Sequence, residues 1–277
     1  MIDNAYSQGN GRPVITVTRN HDFINADGIL CCGRCGAEKE YKFVFAGRQK
    51  IVPCLCRCEQ EKRDAEERAR KRAEKERKIA EARGAGFPDK ELQKYTFAAD
   101  DRKNTRISDA MKRYVDNFPT FREKGQGLLL YGPVETGKTF MACCVANALI
   151  DNGYSCMATN FSRIANTVWS VSDKQGYYDK LNSYDLVVID DLGVERDTDY
   201  MQEIVFSVID GRDRAGLPLI ITTNLTLLEI KGASDIAKQR IYSRVMKMCF
   251  PVSVEGVNRR KDIICREYAK TKEVLGL

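Results

Sequence analysis

The run Gly132-Pro133-Val134-Glu135-Thr136-Gly137-Lys138-Thr139 fits G-x-x-x-x-G-K-[ST] and has the residue types needed to wrap a chain of phosphates. Glycines let successive backbone N–H groups turn inward around the anion. Lys138 reaches the β- and γ-phosphates, and the Thr139 hydroxyl ligates Mg²⁺. This chemistry needs a strand to deliver the loop and a helix to leave it, because the helix points its positive N-terminal end at the anion. Leu128-Leu129-Leu130-Tyr131 reads as that strand, and a helical pattern over Phe140–Leu149 follows directly, with Phe140 closing the nucleotide-binding set. The expected ligand is a nucleotide.

A second site lies downstream. Leu186-Val187-Val188-Ile189 is a β-branched apolar run ending in Asp190-Asp191. A carboxylate at the end of a hydrophobic strand can hold the water shell of Mg²⁺. Asp190 takes that role, and Asp191 orients or deprotonates the attacking water. Aspartates also cap turns, so the phosphate loop upstream is what favours the metal role. A third run, Leu217–Ile221, ends in Thr222-Thr223-Asn224. If the three strands are parallel neighbours, a polar group at that end lies beside the γ-phosphate. Further on come Arg240-Ile241-Tyr242-Ser243-Arg244, on an expected helix, and Gly256-Val257-Asn258-Arg259-Arg260. An arginine reaching a γ-phosphate from a neighbouring subunit would stabilise transition-state charge.

The order of these pieces resembles the AAA+ ATPases, specifically the DnaC/DnaI-type replicative helicase loaders and the related IstB transposition ATPases. The resemblance rests on the motifs above, on Gly127–Gly132 and on Tyr95–Asp101, and spans roughly residues 84–270. It implies an AAA+ P-loop NTPase core with three layers around a parallel sheet. It assigns Walker A to Gly132–Thr139, Walker B to Asp190 and Asp191, and sensor 1 to Asn224. It further implies a trans-acting arginine finger at Arg244 and a sensor 2 arginine at Arg260, with Arg240 and Arg259 as near neighbours. Many relatives have Asp-Glu where this chain has Asp190-Asp191, and the shorter carboxylate points to a slow, switch-like ATPase.

The cysteines divide into two groups. Cys31, Cys32, Cys35, Cys54, Cys56 and Cys58 cluster near the N-terminus, whereas Cys143, Cys144, Cys156, Cys249 and Cys265 are scattered through apolar stretches, where a thiol serves as a small hydrophobe. Cys32-Gly33-Arg34-Cys35 is C-x-x-C with a turn-forming glycine, and Cys56-Arg57-Cys58 closes the set. Two thiolate pairs joined by a hairpin suit tetrahedral Zn²⁺, with Cys54 competing with Cys56 and Cys31 with Cys32. The segment containing Tyr41, Phe43, Val44 and Phe45 would supply the hairpin strands. DnaI-type loaders, and phage relatives, also carry an N-terminal zinc-binding module.

At 277 residues the chain has room for one such core plus a small module. No apolar run approaches a membrane span and the N-terminus has no signal-peptide core, so the expected location is the cytoplasm, bacterial or that of a phage's host. A net charge of +6 is compatible with nucleic acid without identifying it. The one histidine, His21, lies outside the ATPase region, which argues against histidine-base chemistry.

These elements order the chain into residues 1–58 as a zinc-ribbon-like module, 59–86 as a charged helical linker and 87–277 as the ATPase domain. Residues 59–83 are nearly all charge and alanine, with opposite charges at i,i+3 and i,i+4. Gly84-Ala85-Gly86-Phe87-Pro88 ends that helix. Beyond it helix and strand alternate, as a parallel α/β sheet requires. The expected helices cover Ser108–Asn117, Phe161–Val171 and Met201–Gly211, with a strand over Tyr154–Thr159 and arginine-bearing helices at the end. Lys174, Tyr177, Tyr178 and Lys180 interleave aromatics with cations, a pattern that either clamps single-stranded bases or covers a core.

The leading expectation is a loader that binds a hexameric replicative helicase through the zinc module, self-assembles through its AAA+ domains and places the helicase on single-stranded DNA. The alternative on the same fold is an IstB-like regulator of a transposase on duplex DNA. A small-molecule kinase explains the arginine segments less well, and a zinc adaptor with an inert ATPase domain would be excluded by turnover of bound nucleotide.

Overall fold

Short β-branched runs separated by amphipathic helices give this chain its architecture. The structure is a computed structural model describing residues 21–256 and 268–276, so Val14–Val17, Arg259, Arg260 and Cys265 lie outside the described residues. The chain divides into two compact units, with the division between Glu76 and Arg77.

The first unit contains two small antiparallel sheets. Strand β1 (Phe23–Ile24) pairs with β2 (Leu30–Cys31), and β3 (Glu40–Phe45) pairs with β4 (Arg48–Pro53). Helix α1 (Arg57–Gly86) starts two residues earlier than the linker expected at 59, so Cys58 lies in its first turn. Ion pairs at i,i+4 spacing, such as Arg57–Glu61 and Arg72–Glu76, line this solvated helix. Such exposed pairs each add only a few tenths of a kcal/mol, about 0.3–0.5.

The second unit is built on a sheet of five strands, all parallel. Helices α2 (Thr105–Asp116) and α3 (Phe118–Glu123) lead into β5 (Gly127–Tyr131) and α4 (Lys138–Asp151). Next come β6 (Cys156–Asn160), α5 (Phe161–Ser170), α6 (Lys174–Leu181) and β7 (Leu186–Leu192). Then follow α7 (Asp199–Ala215), β8 (Leu219–Thr223), α8 (Leu227–Lys231), α9 (Ile236–Met248) and β9 (Cys249–Ser253). The strand order is β6-β7-β8-β5-β9. The expected arginine-bearing helix is α9, which carries Arg240 and Arg244, and strand β9 follows it as an element not expected from the sequence. A Cys-Phe-Pro-Val-Ser segment shows little strand periodicity, and only its pairing along β5 makes it a strand.

Two apolar layers enclose the sheet. Met111, Phe118, Leu130, Val145 and Leu149 pack on one face, and Phe161, Ile164, Val187, Ile209 and Val245 on the other. Cys143, Cys144, Cys156 and Cys249 belong to this interior, each 2% exposed or less. Burial pushes the Cys249 thiol up to about 12 and raises Cys143 and Cys156 as well, so these thiols stay protonated and unreactive. Arg212 is also fully buried, donating to the carbonyls of Leu181, Tyr184 and Pro218 at 3.2, 2.7 and 2.7 Å. Desolvation lowers its pKa to about 10, which leaves it cationic at neutral pH.

Asn147, on α4, holds the phosphate-loop helix against the segment that precedes α2. It donates to Leu92 O at 3.0 Å and Tyr95 O at 2.9 Å and accepts from Arg83 Nε at 2.9 Å. Tyr95 in turn packs on Phe140, with ring centroids 5.2 Å apart.

Candidate active site

The phosphate loop leaves β5 at Gly132, whose φ of 145° lies in the left-handed half of backbone space. A Cβ there would lie 2.5 Å from Val254 O, so the position requires glycine for close approach as well as for conformation. The loop ends at Gly137, in the left-handed region at φ 94°, which serves as N-cap of α4. The helix begins at Lys138 rather than at Phe140 as expected, so Lys138 and Thr139 occupy its first turn and share the positive end of its dipole. Glu135 is also left-handed, at φ 64°, a strained setting for a residue with a Cβ.

Lys138 is buried inside the loop it serves. Its Nζ donates to Gly132 O at 3.0 Å and Pro133 O at 2.6 Å, while Thr136 Oγ1 also donates to Pro133 O at 3.0 Å. Desolvation pulls the Lys138 pKa down, and Asp191 and Asp190 pull it back up. The loop therefore presents a poorly solvated cation, which favours a polyanionic ligand.

Strand β8 lies between β5 and β7, so the loop and the aspartates ride on strands that are not adjacent. The gap is bridged by hydroxyls. Thr139 Oγ1 donates to Asp190 Oδ1 at 2.7 Å, and Thr222 Oγ1 donates to the same oxygen at 2.6 Å. Thr222 Oγ1 also accepts the Asp191 N–H at 2.9 Å. Asp191 is exposed and left-handed at φ 58°, at an irregularity in the β7–β8 ladder that turns it away from the strand's regular alternation. Thr222 is fully buried and central to this network, whereas Asn224, the residue the sequence points to at this strand end, is exposed just past β8. The available signal was a pair of threonines closing an otherwise aliphatic strand.

Arg244 lies on α9 and is held within its own chain. Its Nε donates to Asp210 Oδ1 at 3.0 Å and its guanidinium stacks 4.5 Å from the Phe206 ring centroid. Asp210 is buried and also accepts from Arg214. Arg240, one turn earlier, borders a hollow with Glu203 and Phe206. Tyr177 and Tyr178 pack on the core, whereas Trp169 is 80% exposed and meets Tyr200 edge-on.

In the first unit, the Sγ atoms of Cys32, Cys35, Cys56 and Cys58 all lie within 4.8 Å of one another. Cys32–Cys58 and Cys56–Cys58 approach to 3.5 and 3.3 Å. Thiolates ~2.3 Å from a tetrahedral zinc would lie ~3.8 Å apart, so these four fit the metal. The backbone N–H groups of Cys58 and Ala37 pull the Cys35 pKa down to about 6, while the neighbouring sulfurs, Cys56 first, push Cys58 up to about 12. Cys31 and Cys54 stand outside the set, with their sulfurs 3.6 Å from Ile29 O and Glu38 O respectively. Lys39 Nζ braces the knuckle, bonding Asp22 Oδ2 and Glu59 Oε1 at 2.9 Å each.

A phosphate loop, a strand-end aspartate and a parallel sheet with one strand interposed between them define an AAA+ P-loop NTPase core. Residues 58–263 match the family described as IstB-like ATP binding protein, and the chain belongs to that family. It is 28% identical over 167 residues to the replicative helicase loader DnaI of Bacillus subtilis (strain 168), covering 54% of each chain. It is 26% identical over 146 residues to the replicative helicase loader DnaC of Buchnera aphidicola subsp. Acyrthosiphon pisum, covering 50% of this chain and 57% of that one. The chain thus spans about half the length of the curated relatives it matches. A crystal structure of DnaI superposes with a TM-score of 0.52 at 20% identity, over 62% of this chain and 93% of that one, a likeness of fold. Among the described residues no helix is long and apolar enough to cross a membrane.

Proposed function

We propose that this chain is an ATP-dependent helicase loader that binds a hexameric replicative helicase and places it on single-stranded DNA. The observation that carries this reading is the pairing of an ATPase site with a separate four-cysteine unit fitted to a structural zinc. A free-standing ATPase does not need the second unit, whereas a loader needs a dedicated surface for its partner. The proposed division is 1–58 for partner binding, 59–86 as linker and 87–277 as ATPase, with the cysteine set closing inside the first turn of α1. Likeness to proteins named as helicase loaders supports the assignment.

In this reading the backbone N–H groups of Gly132–Thr139 hold the phosphates, and Lys138 exchanges its loop carbonyls for the β- and γ-phosphate oxygens. Thr139 and Asp190 would hold Mg²⁺, which neutralises charge on the β- and γ-oxygens when bound. Thr222 fixes the Asp190 carboxylate and the Asp191 backbone together. Asp191 orients the attacking water, and Asn224 senses the γ-phosphate from the end of β8. Arg244 is proposed to act on a neighbouring subunit's nucleotide, for which it must leave Asp210, and Arg260 is the proposed sensor 2. Slow turnover by the isolated chain follows, because one subunit lacks the neighbour's arginine. Cys32, Cys35, Cys56 and Cys58 would hold Zn²⁺ as a structural ion with no open position.

The test is light scattering on a size-exclusion column, with the chain mixed with its host's replicative helicase in ATP and then in ADP. A co-eluting complex supports the loader reading. Absence of a complex in both nucleotides overturns it and favours the second reading, a regulator that delivers a transposase to duplex DNA. That reading is favoured by the family description itself.

A further inference from the structure

The first unit carries a surface that the nucleotide site does not use. The register of β3 against β4 pairs Tyr41 with Val52, Phe43 with Lys50 and Phe45 with Arg48. Cross-strand partners project to the same face, so three aromatics at alternate positions share one face with two cations. Tyr41 and Phe45 are 64% and 62% exposed. The Tyr41 and Phe43 rings are 6.3 Å apart and 21° from parallel, and the Lys50 ammonium lies 5.6 Å from the Phe45 centroid. Glu40, the one acid of the hairpin strands, pairs with Pro53 on the opposite face and accepts the Leu30 N–H at 3.2 Å.

This face alternates rings along one strand with two cations, Arg48 and Lys50, on the other. Rings supply flat surfaces against which bases stack, and cations pair with phosphates; together they hold single strands with little regard to sequence. We propose that the β3–β4 face is a stacking platform for single-stranded nucleic acid, with Tyr41, Phe43 and Phe45 against bases and Arg48 and Lys50 on phosphates. The platform works without ATP and without a helicase. Its failure is therefore distinguishable from failure of the loader reading.

The experiment uses the full chain, without nucleotide, and a fluorescent deoxythymidine oligonucleotide followed by anisotropy. A second copy carrying 5-iodouracil is photo-cross-linked, and the attached peptides are sequenced. The expected cross-links fall at Tyr41, Phe43 or Phe45. The double variant Tyr41→Ala/Phe45→Ala binds at least ~10-fold more weakly, whereas Tyr41→Phe/Phe45→Tyr retains affinity. Val44→Ser, on the opposite face, leaves affinity unchanged and controls for folding of the hairpin. Removing both cations with Arg48→Gln/Lys50→Gln reduces the slope of log affinity against log salt by ~1.4. Cross-links confined to residues outside 40–53, or unchanged affinity in the double alanine variant, overturn the proposal. Loss of helicase co-elution with intact oligonucleotide binding also overturns it and makes the face a protein interface.

Discussion

The Thr222 hydroxyl donates to Asp190 Oδ1 at 2.6 Å while accepting the Asp191 N–H at 2.9 Å, so one side chain on β8 positions both aspartates of β7. Replacing it with the isosteric valine removes both bonds and keeps the volume. A hydrogen bond to a charged group contributes roughly 1.5–3 kcal/mol. Thr222→Val should therefore slow ATP hydrolysis about tenfold or more while changing the ATP dissociation constant less than threefold. Steady-state hydrolysis beside fluorescent-nucleotide titration separates the two effects. A variant that binds weakly but turns over normally would assign Thr222 to binding.

Lys138 is a desolvated cation that donates to two loop carbonyls. Lys138→Met should leave the melting temperature of the nucleotide-free protein unchanged or higher, since a buried charge is removed. It should also abolish stabilisation by ATP, which in the native chain amounts to about 2.7 kcal/mol at a ligand excess of ~100 Kd. Thermal shift with and without ATP reads both quantities. Full stabilisation of the variant would exclude Lys138 as the phosphate ligand.

Arg244 is bonded to Asp210 within its own chain. If it serves a neighbour, Arg244→Ala should keep ATP binding within threefold. It should slow hydrolysis by the assembled complex by ~10³ and leave hydrolysis by the dilute monomer unchanged. Rates measured across a protein concentration series report this, and normal hydrolysis within the complex would remove the finger assignment.

The four-cysteine set should hold one zinc per chain by elemental analysis. Cys35→Ser should lose the ion, whereas Cys31→Ser and Cys54→Ser should keep it, because their sulfurs stand outside the cluster. Chelation should unfold the first unit and leave ATP binding by the second. Equal loss of zinc in Cys54→Ser would redraw the ligand set.

Asp185 joins β7 to the start of β6. Burial pushes its pKa up, but the Ser155 N–H and hydroxyl and the Arg122 guanidinium together hold it below its ordinary 3.8. A carboxyl lowered in the folded state adds stability above its unfolded pKa and loses it as pH falls through the folded one. Below 3.8, Asp185→Asn should show a flatter fall of the denaturation midpoint with pH than the native chain. Parallel curves for the two proteins would mean that the contacts carry no linkage.

The sequence revealed the parts of this site that use a distinctive residue at a fixed spacing. Gly132, Gly137, Lys138 and Thr139 form a recognisable string, and Asp190 ends an unmistakable buried strand. Cys32, Cys35, Cys56 and Cys58 were legible from spacing, although two competing thiols had to be separated by geometry. The role of Thr222 is not legible in the sequence because it depends on which strands become neighbours, a property of the fold rather than of local pattern. Strand β9 was hidden for the same reason, since pairing with β5 outweighs the weak propensity of Cys249–Ser253. Arg212 reads like a surface cation at the end of a helix, and its burial follows from three carbonyls that converge on it only in the folded chain.

Thr222 and Thr223 close β8 with no exposed surface, and each hydroxyl is satisfied by β7: Thr222 on Asp190 and Thr223 on Leu192 O at 2.6 Å. A slip of β8 by one residue would swap the faces of both threonines, strand their hydroxyls among aliphatics and scatter the aspartates. The same two hydroxyls that place the aspartates thus also fix the register of β8 against β7, so the register of the sheet and the geometry of the site are set by one pair of side chains.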